Sequence, residues 1–232
     1  MSADLRARVV AANRSLVDAG LVVLTFGNAS AVDRDAGLVA IKPSGISAAE
    51  LLPRHVPVLD LETGTLLFGS HRPSSDTPTH LALLRAFAEA GGVVHTHSPF
   101  ATAWAQARRD LPCLGTTHAD HFRGAVPVTR MLTSAEIEGD YEERTGAVII
   151  ETFAERELEP LAVPAALVAR HGPFVWGKSI EAAVENAVAL EAAAASAYRA
   201  LELAETGPIP EALLARHFER KHGAAAYYGQ PG

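Results

Sequence analysis

The 232-residue sequence predicts an α/β fold in which a central sheet is flanked by helices. Short apolar, β-branched runs that end at Gly, Asn or Pro alternate with longer segments of helical periodicity. Turn signals between some of these runs indicate hairpins, and hairpins favour antiparallel pairing. Hydrophobic residues make up 48% of the chain and charged residues 20%, as is ordinary for a globular fold.

The strands are predicted where apolar runs stop at turn residues. The predicted strands are 21–26, 38–42, a hairpin over 56–69 that turns at Thr63 and Gly64, 93–97, a run near 112–116, 147–152 and an interrupted strand over 166–177. On this prediction Gly27 and Asn28 lie in the loop after the first strand, and Ser44 and Gly45 in the loop after the second.

The helices are predicted from apolar spacing of three and four residues and from end signals. The predicted helices are 4–19, 77–90, 99–108, a short helical or irregular segment within 117–124, one from Thr133 to about 144, 180–204 and 210–222. Asp76 and Pro78 suit the start of the second helix, and Thr133 with Glu136 form a capping-box pair. No repeat or linker interrupts the pattern, so we expect one domain over residues 1–232.

Composition excludes several classes of partner. The formal net charge is −7 without a basic run, so nucleic acid and anionic membranes are poor partners. No apolar stretch approaches the roughly 18 residues of a membrane span, and the charged N-terminal segment is unlike a secretory signal. The single cysteine, Cys113, has no internal disulfide partner, which fits a reducing cytoplasm. An anionic small molecule stays compatible with a local pocket of cations and backbone N–H groups.

Four residues form a candidate metal site. His95 and His97 lie two apart on a predicted strand, so their rings point to the same face and can reach one cation. The alternative is a pair of histidines bonded to the backbone. His171 ends another predicted strand and Asp76 suits an N-cap, so each also has a structural alternative. Three imidazoles and a carboxylate suit zinc or a similar transition metal, with open positions for substrate oxygens.

Six colinear motifs make a family resemblance specific. The motifs are GNAS (27–30), IKPSG (41–45), PSSDTPTH (73–80), VVHTHS (93–98), GTTHAD (115–120) and HGPFVWGK (171–178). They resemble the L-ribulose-5-phosphate 4-epimerases of the class II aldolase and adducin-head family, over nearly the whole chain. The resemblance implies a three-layer αβα fold with a mixed, mainly antiparallel sheet, assembled as a four-fold homotetramer with active sites at subunit interfaces.

The same resemblance implies roles for the motif residues. Asp76, His95, His97 and His171 match the family's metal ligands, with zinc the expected ion and manganese or another transition metal as alternatives. The positions that match its substrate and phosphate loops are Gly27, Asn28, Ser44, Gly45, Ser74 and Ser75. These loops follow predicted strand ends and offer N–H and hydroxyl donors, to which Lys42 adds a charge. Ordinary turn chemistry is the alternative explanation of the loop residues.

Proton transfer is expected to involve residues of a neighbouring subunit. Asp120 and Tyr228 match the family's proton-transfer pair, and they come from distant parts of the chain. Asp120 has the alternative of orienting a neighbouring histidine, and the tail around Tyr228 that of packing against another subunit. His217 and Glu142 are secondary candidates.

The expected activity is interconversion of L-ribulose 5-phosphate and D-xylulose 5-phosphate at C4, by retro-aldol cleavage, rotation of the aldehyde and re-addition. A sugar-phosphate aldolase that releases its two fragments is the first alternative, and a non-catalytic adducin-head-like scaffold the second. The related aldolases have a glutamate at the position of Asp76, whose shorter reach favours a ligand over a base. Phe26 stands where the epimerases often have tryptophan, which bears on substrate packing.

Overall fold

A computed structural model describes residues 2–223 and 226–227 and has seven strands in one sheet. The strands are β1 Gly27–Asp33, β2 Leu38–Ile41, β3 Val58–Asp60, β4 Leu66–Phe68, β5 Gly92–Thr96, β6 Ala165–Leu167 and β7 Pro173–Gly177. Their order across the sheet is β4-β3-β2-β1-β5-β7-β6, and each neighbouring pair is antiparallel. A parallel bridge between Val128 and Leu167 adds the mixed component.

Helices cover both faces of this sheet. They are α1 Ser2–Asp18, α2 Thr77–Ala86, α3 Pro99–Ala107, α4 Thr116–Ala119, α5 Ser134–Glu138, α6 Tyr141–Glu155, α7 Ile180–Leu203 and α8 Glu211–His222. One face carries α1 and α7, which contact each other and the central strands, and the other carries α2 packed against α6. The predicted α/β fold with a mainly antiparallel sheet is therefore confirmed. None of the helices in the described part of the chain has the length and apolarity to cross a bilayer.

The predicted strand over 21–26 is wrong. Residues 23–26 form a tight turn closed by a bridge between Val23 and Phe26, and Leu24 has a left-handed φ of 57°. These residues are not buried as a core strand would be: Val23, Leu24 and Phe26 are 56%, 77% and 52% exposed. The strand begins instead at Gly27, so Gly27 and Asn28 lie within β1 rather than in a loop.

The predicted strand over 147–152 is also wrong, because these residues lie inside α6. Val148, Ile149, Thr152 and Phe153 are buried, and their spacing of three and four residues matches one helix face. A short apolar run does not by itself distinguish a strand from a buried helix segment. No strand forms over 112–116 in the described chain; nearby, Leu111 makes only an isolated bridge to Val126.

Two further predictions need smaller corrections. The capping box of Thr133 and Glu136 is present, but its helix ends at Glu138, and a new helix starts after Gly139 and Asp140. The interrupted strand over 166–177 is two antiparallel strands, β6 and β7, joined by a turn at Arg170 with a φ of 68°. The hairpin of β3 and β4 forms as predicted.

Two strand glycines allow α7 to lie directly on the sheet. A Cβ built on Gly92 of β5 would lie 2.5 Å from the Cα of Ile180. One built on Gly177 of β7 would lie 2.7 Å from the backbone nitrogen of Ala183. Because real Cβ atoms do not approach other heavy atoms this closely, glycine at these two positions sets the distance between the helix and the strands that carry the site.

We expect Gly92→Ala to lower the free energy of unfolding by about 3 kcal/mol, because the new methyl group overlaps the α7 backbone. Removing the flexibility of glycine alone would act in the opposite direction. The measurement is urea denaturation followed by circular dichroism. Gly207→Ala, where a Cβ meets nothing within 4 Å, is the control and should change stability by about 0.5 kcal/mol at most. Equal stability of the two variants would contradict the close-approach argument.

Candidate metal and substrate site

One cavity contains every residue that the sequence predicted for metal and substrate binding. Its volume is about 320 Å³, and it opens beside the exposed turn before β1. Its lining residues are Thr25, Phe26, Gly27, Asn28, Lys42, Pro43, Ser44, Gly45, Ser74, Ser75, Asp76, His95, His97 and His171. Segments that are distant in the sequence therefore form a single polar pocket.

Strand pairing places the histidines. His95 lies on β5 directly opposite Asn28 of β1 on one side and Phe174 of β7 on the other. His97 follows one residue after the end of β5, and His171 lies in the turn that leads into β7. One ring nitrogen from each of the three histidines lies within 4.8 Å of the others. This group can hold a metal ion.

Hydrogen bonds prepare these rings as ligands. The Nδ1 of His95 donates to the carbonyl oxygen of Pro173 at 2.9 Å, because that oxygen can only accept, which leaves the Nε2 lone pair for the cluster. That Nε2 lies 3.1 Å from Nε2 of His97. Burial lowers the pKa of all three rings, most strongly that of His95, so they are held in the neutral form that binds metals. The donor set therefore fits zinc or a similar transition metal.

The carboxylate of Asp76 lies at the edge of this cluster. Asp76 directly precedes α2, but its side chain makes no capping hydrogen bond. N-capping, the structural alternative for this residue, is therefore not observed. Its Oδ2 accepts instead from Nδ2 of Asn28 at 2.6 Å. Its negative charge raises the pKa of both His97 and His171, against the larger effect of burial. Asp76 does not belong to the group of ligand atoms within 4.8 Å, although it lines the same cavity.

A second part of the cavity, formed by Lys42 and the loops after β2 and before α2, can bind an anion, and we call it the anion seat. The loops after β2 and before α2 are joined by backbone hydrogen bonds from Ser44 to Arg72 and from Ser74 to Lys42. Lys42 is only 5% exposed, and burial lowers the pKa of its ammonium group while Asp76 raises it. Among the residues that the structure describes, its Nζ makes one hydrogen bond, a long one of 3.5 Å to the carbonyl oxygen of Pro43. An incoming anion would therefore find a buried cation with little competing hydrogen bonding.

Asp120 lies elsewhere in the chain, at the C-terminal end of α4. It accepts from Arg220 at 3.0 and 2.7 Å and pairs with Nδ1 of His217 at 3.0 Å. Burial alone raises the pKa of Asp120, but the hydrogen bonds from Arg220 and His217 outweigh it and the net pKa is lowered. The two histidines that neighbour Asp120 in the sequence have other partners: His118 bonds to the carbonyl oxygen of Gly124, and His121 bonds to the side chain of Asn186. The alternative role of Asp120, orienting one of these histidines, is therefore not supported.

The remaining candidates are spread over the structure. Tyr228 lies outside the described residues, so its prediction stays untested. His217 is on α8 next to Asp120, and Glu142 is half-buried in the first turn of α6. None of Asp120, His217 and Glu142 lines the cavity of its own chain.

Sequence reasoning missed Tyr141, whose hydroxyl lies 3.3 Å from Nδ1 of His171. This contact fixes the ring of His171, so that its Nε2 is the nitrogen available to a ligand. Tyr141 opens α6, whereas the sequence placed it inside the previous helix. Because no local pattern links it to a histidine 30 residues later, its role could be found only in three dimensions.

Comparison with known proteins agrees with this site. The sequence profile of the family described as Class II Aldolase and Adducin N-terminal domain matches residues 7–198. The chain belongs to this family. L-ribulose-5-phosphate 4-epimerase UlaF of Salmonella paratyphi C (strain RKS4594) is 50% identical over 227 residues, which cover 97% of this chain and 98% of that protein. The protein of the same name from Salmonella typhi has the same identity and coverage.

Solved structures of two L-fuculose 1-phosphate aldolases share the fold. A structure of an L-fuculose 1-phosphate aldolase has a TM-score of 0.79 at 24% identity, over 94% of this chain and 95% of that one. The L-fuculose 1-phosphate aldolase from Glaciozyma antarctica PI12 has a TM-score of 0.76 at 20% identity, over 97% and 85% of the two chains. The class II aldolase family is dependent on divalent metals, which agrees with the cluster of His95, His97 and His171.

We expect His95→Gln to weaken zinc binding by at least about 100-fold, beyond the usual effect of losing an outer-shell partner. The reason is that His95 is the buried ligand whose free Nε2 faces the other two rings. The measurement is competition with a chromophoric chelator on the purified, metal-stripped protein. His55→Gln is the control, because His55 accepts from the backbone of Leu52 and does not line the cavity. Unchanged affinity in His95→Gln would exclude the cluster as the binding site.

Proposed function

We propose that this chain of the class II aldolase family is an L-ribulose-5-phosphate 4-epimerase, an isomerase that interconverts L-ribulose 5-phosphate and D-xylulose 5-phosphate. The observation that carries the proposal is that the histidine cluster and the anion seat with Lys42 lie in one cavity of about 320 Å³. The carbonyl-bearing end of a phosphorylated ketopentose can bind at the histidine cluster, and its phosphate can bind at the anion seat. The near full-length relatives at 50% identity bear the name of this activity.

The metal site in this proposal consists of His95, His97, His171 and Asp76, with zinc as the ion. When bound, a divalent ion supplies a Lewis acid for the carbonyl and hydroxyl oxygens at C2 and C3. Asp76 is kept next to the cluster by its bond to Asn28. The Oδ1 of Asn28 is buried without a partner among the described residues, so it can accept from a substrate hydroxyl.

The reaction inverts C4, whose C–H bond is not acidic. Cleavage of the C3–C4 bond avoids removing that hydrogen. The electron pair of the bond stays with the C1–C3 fragment, which becomes the enediolate of dihydroxyacetone, while C4 becomes the aldehyde of glycolaldehyde phosphate; this aldehyde rotates, and the enediolate adds to its opposite face. Throughout, the phosphate must stay bound, which is the role proposed for Lys42 together with the Gly and Ser residues of the anion seat. The residues proposed for this seat and the adjoining substrate wall are Gly27, Asn28, Lys42, Ser44, Gly45, Ser74 and Ser75.

Proton transfer at the C4 oxygen is proposed for Asp120 and Tyr228. That oxygen loses a proton before cleavage and regains one after rotation, so one group is needed on each face of the aldehyde. Asp120 is ionised at neutral pH and can accept a proton, although the hydrogen bonds from Arg220 and His217 that lower its pKa also make it a weaker base. The secondary candidate His217 is bonded to Asp120 through its Nδ1 and so lies next to the proposed proton acceptor.

The proposed assembly is a homotetramer in which each cavity is completed by a neighbour. Asp120 is held at the junction of α4 and α8 and does not line the cavity of its own chain, so a role in the reaction requires a second copy.

We further propose that residues 1–232 form a single domain. A cytoplasmic location agrees with the one buried, unpaired cysteine.

A sugar-phosphate aldolase is the competing function, because solved structures with this fold include L-fuculose 1-phosphate aldolases. The two activities differ in what leaves the enzyme. Incubation with L-ribulose 5-phosphate should yield D-xylulose 5-phosphate without accumulation of free fragments. Release of dihydroxyacetone and glycolaldehyde phosphate at full turnover, without the epimer, would establish the aldolase instead.

We expect Asp120→Asn to lower kcat of the epimerase reaction by about two to four orders of magnitude, as is typical of losing a general acid–base group. The measurement is a coupled assay for D-xylulose 5-phosphate. Asp18→Asn, at the exposed end of α1, is the matched control and should keep the wild-type rate. A near-normal rate for Asp120→Asn would remove this residue from the mechanism.

Mixing two inactive variants tests the shared site. We expect hybrids of Asp120→Asn with His97→Ala to regain about a quarter of wild-type activity. A site is intact when its histidines come from an Asp120→Asn chain and its Asp120 comes from a neighbouring His97→Ala chain, which random mixing produces in about a quarter of the sites. The measurement is the same assay after co-expression of differently tagged chains. Hybrids of His97→Ala with His171→Ala, which both damage the cavity, are the control and should stay inactive. No recovery in the first mixture would place Asp120 and the histidines in the same chain's site, or outside it.

A further inference from the structure

His80 is a buried polar side chain that the proposed reaction does not use. It lies on α2 and is completely buried, and its Nδ1 is 2.8 Å from Oγ of Ser30 on β1. Its other ring nitrogen, Nε2, has no hydrogen-bond partner among the described residues. A buried polar atom without a partner costs free energy, so packing alone does not account for a histidine here.

The bond between Ser30 and His80 is the second of two parallel links between β1 and α2. Asn28 and Ser30 lie two apart on β1, so their side chains point to the same face of the sheet. Asp76 and His80 lie four apart at the start of α2, so they lie on the same side of the helix. The first link, from Asn28 to Asp76, measures 2.6 Å, and the second 2.8 Å. Together they attach the first turn of α2 to β1 at two points.

The same ring also contacts the support of the histidine cluster. His80 packs edge-to-face on Phe174, with ring centroids 5.9 Å apart. Phe174 is stacked on His95 at 4.2 Å, with an angle of 14° between the rings. His80 therefore touches the strand that carries Asn28 and the aromatic ring that supports His95, while its own helix carries Asp76.

We propose that Ser30 and His80 are positioning residues that hold Asp76 beside His95, His97 and His171, so that its carboxylate completes the metal site. The inference rests on the metal role given to these four residues in the proposed function. It assigns to the second link a task that the first cannot perform alone. The hydrogen bond through Asn28 attaches the Asp76 side chain to β1 at one point, and the bond between Ser30 and His80 attaches the same segment to β1 at a second point one helical turn further on.

Zinc affinity, measured by chelator competition on the metal-stripped protein, tests this inference. We expect Ser30→Ala and His80→Leu each to weaken zinc binding by about 10- to 100-fold, as is typical of lost outer-shell partners. The zinc affinity of the double variant should equal that of the single variant with the lower affinity, because both changes remove the same hydrogen bond. His80→Asn, whose amide lies where Nδ1 of histidine lies, should retain the bond and recover most of the affinity.

A general loss of stability is separated from positioning by a control on the same helix. Thr79 neighbours His80 and donates a buried hydrogen bond to the carbonyl oxygen of Glu142, away from the metal cluster. Thr79→Val should lower the melting temperature of the metal-free protein without changing its zinc affinity. If Ser30→Ala and His80→Leu behave like Thr79→Val, the pair is merely structural and the inference is wrong.

The decisive comparison repeats Ser30→Ala in an Asp76→Ala background. If the pair acts through Asp76, the added change should leave the already weakened affinity unaltered. An equal loss in both backgrounds, no effect of Asp76→Ala itself, or no zinc binding by the wild type would each overturn the inference. Epimerase activity is measured separately on the zinc-loaded wild type. Absence of activity with an intact zinc response would refute the proposed function and leave the positioning role standing.

Discussion

The pairing of β1 with β5 is the constraint on which the site depends. It places Asn28 opposite His95, and from that pair the two halves of the cavity extend in opposite directions. On the β5 side, β7 brings Phe174 beneath His95 and the preceding turn brings His171. A shift of one residue in this register would turn every side chain of one strand to the opposite face. The geometry of the candidate site thus follows from the strand register.

The parts of the site that follow a local period could be predicted from the sequence. His95 and His97 are two apart on a strand, so a common face follows from strand geometry alone. Asp76 and His171 carry no such pattern, and only the order of the motifs favours the metal role over the structural alternative of each. The structure brings all four to one cavity. The fold class could also be predicted from local periodicity, because it depends more on which helices and strands exist than on where each of them begins.

The remainder depended on tertiary contacts that no local pattern reports. The apolar segment before Gly27 is exposed, so its hydrophobicity misled the strand prediction. The run over 147–152 is buried against α2, where strand and helix look alike over so short a length. The partners of Asp120, namely His217 and Arg220, lie about 100 residues away along the chain. Their effect on the Asp120 carboxylate could therefore be recognised only after α4 and α8 were placed together.

The cavity gathers segments from residue 25 to residue 171, and this spread links ligand binding to the folding of the chain as a whole. No fragment that ends before residue 171 contains all three histidines of the cluster, so the binding site forms only after long-range contacts have formed, which is the slow part of folding. An ion that binds only the folded chain also stabilises it, by a free energy that grows with the logarithm of the free ion concentration. The resistance of this protein to heat or proteolysis should therefore follow the supply of metal in its surroundings.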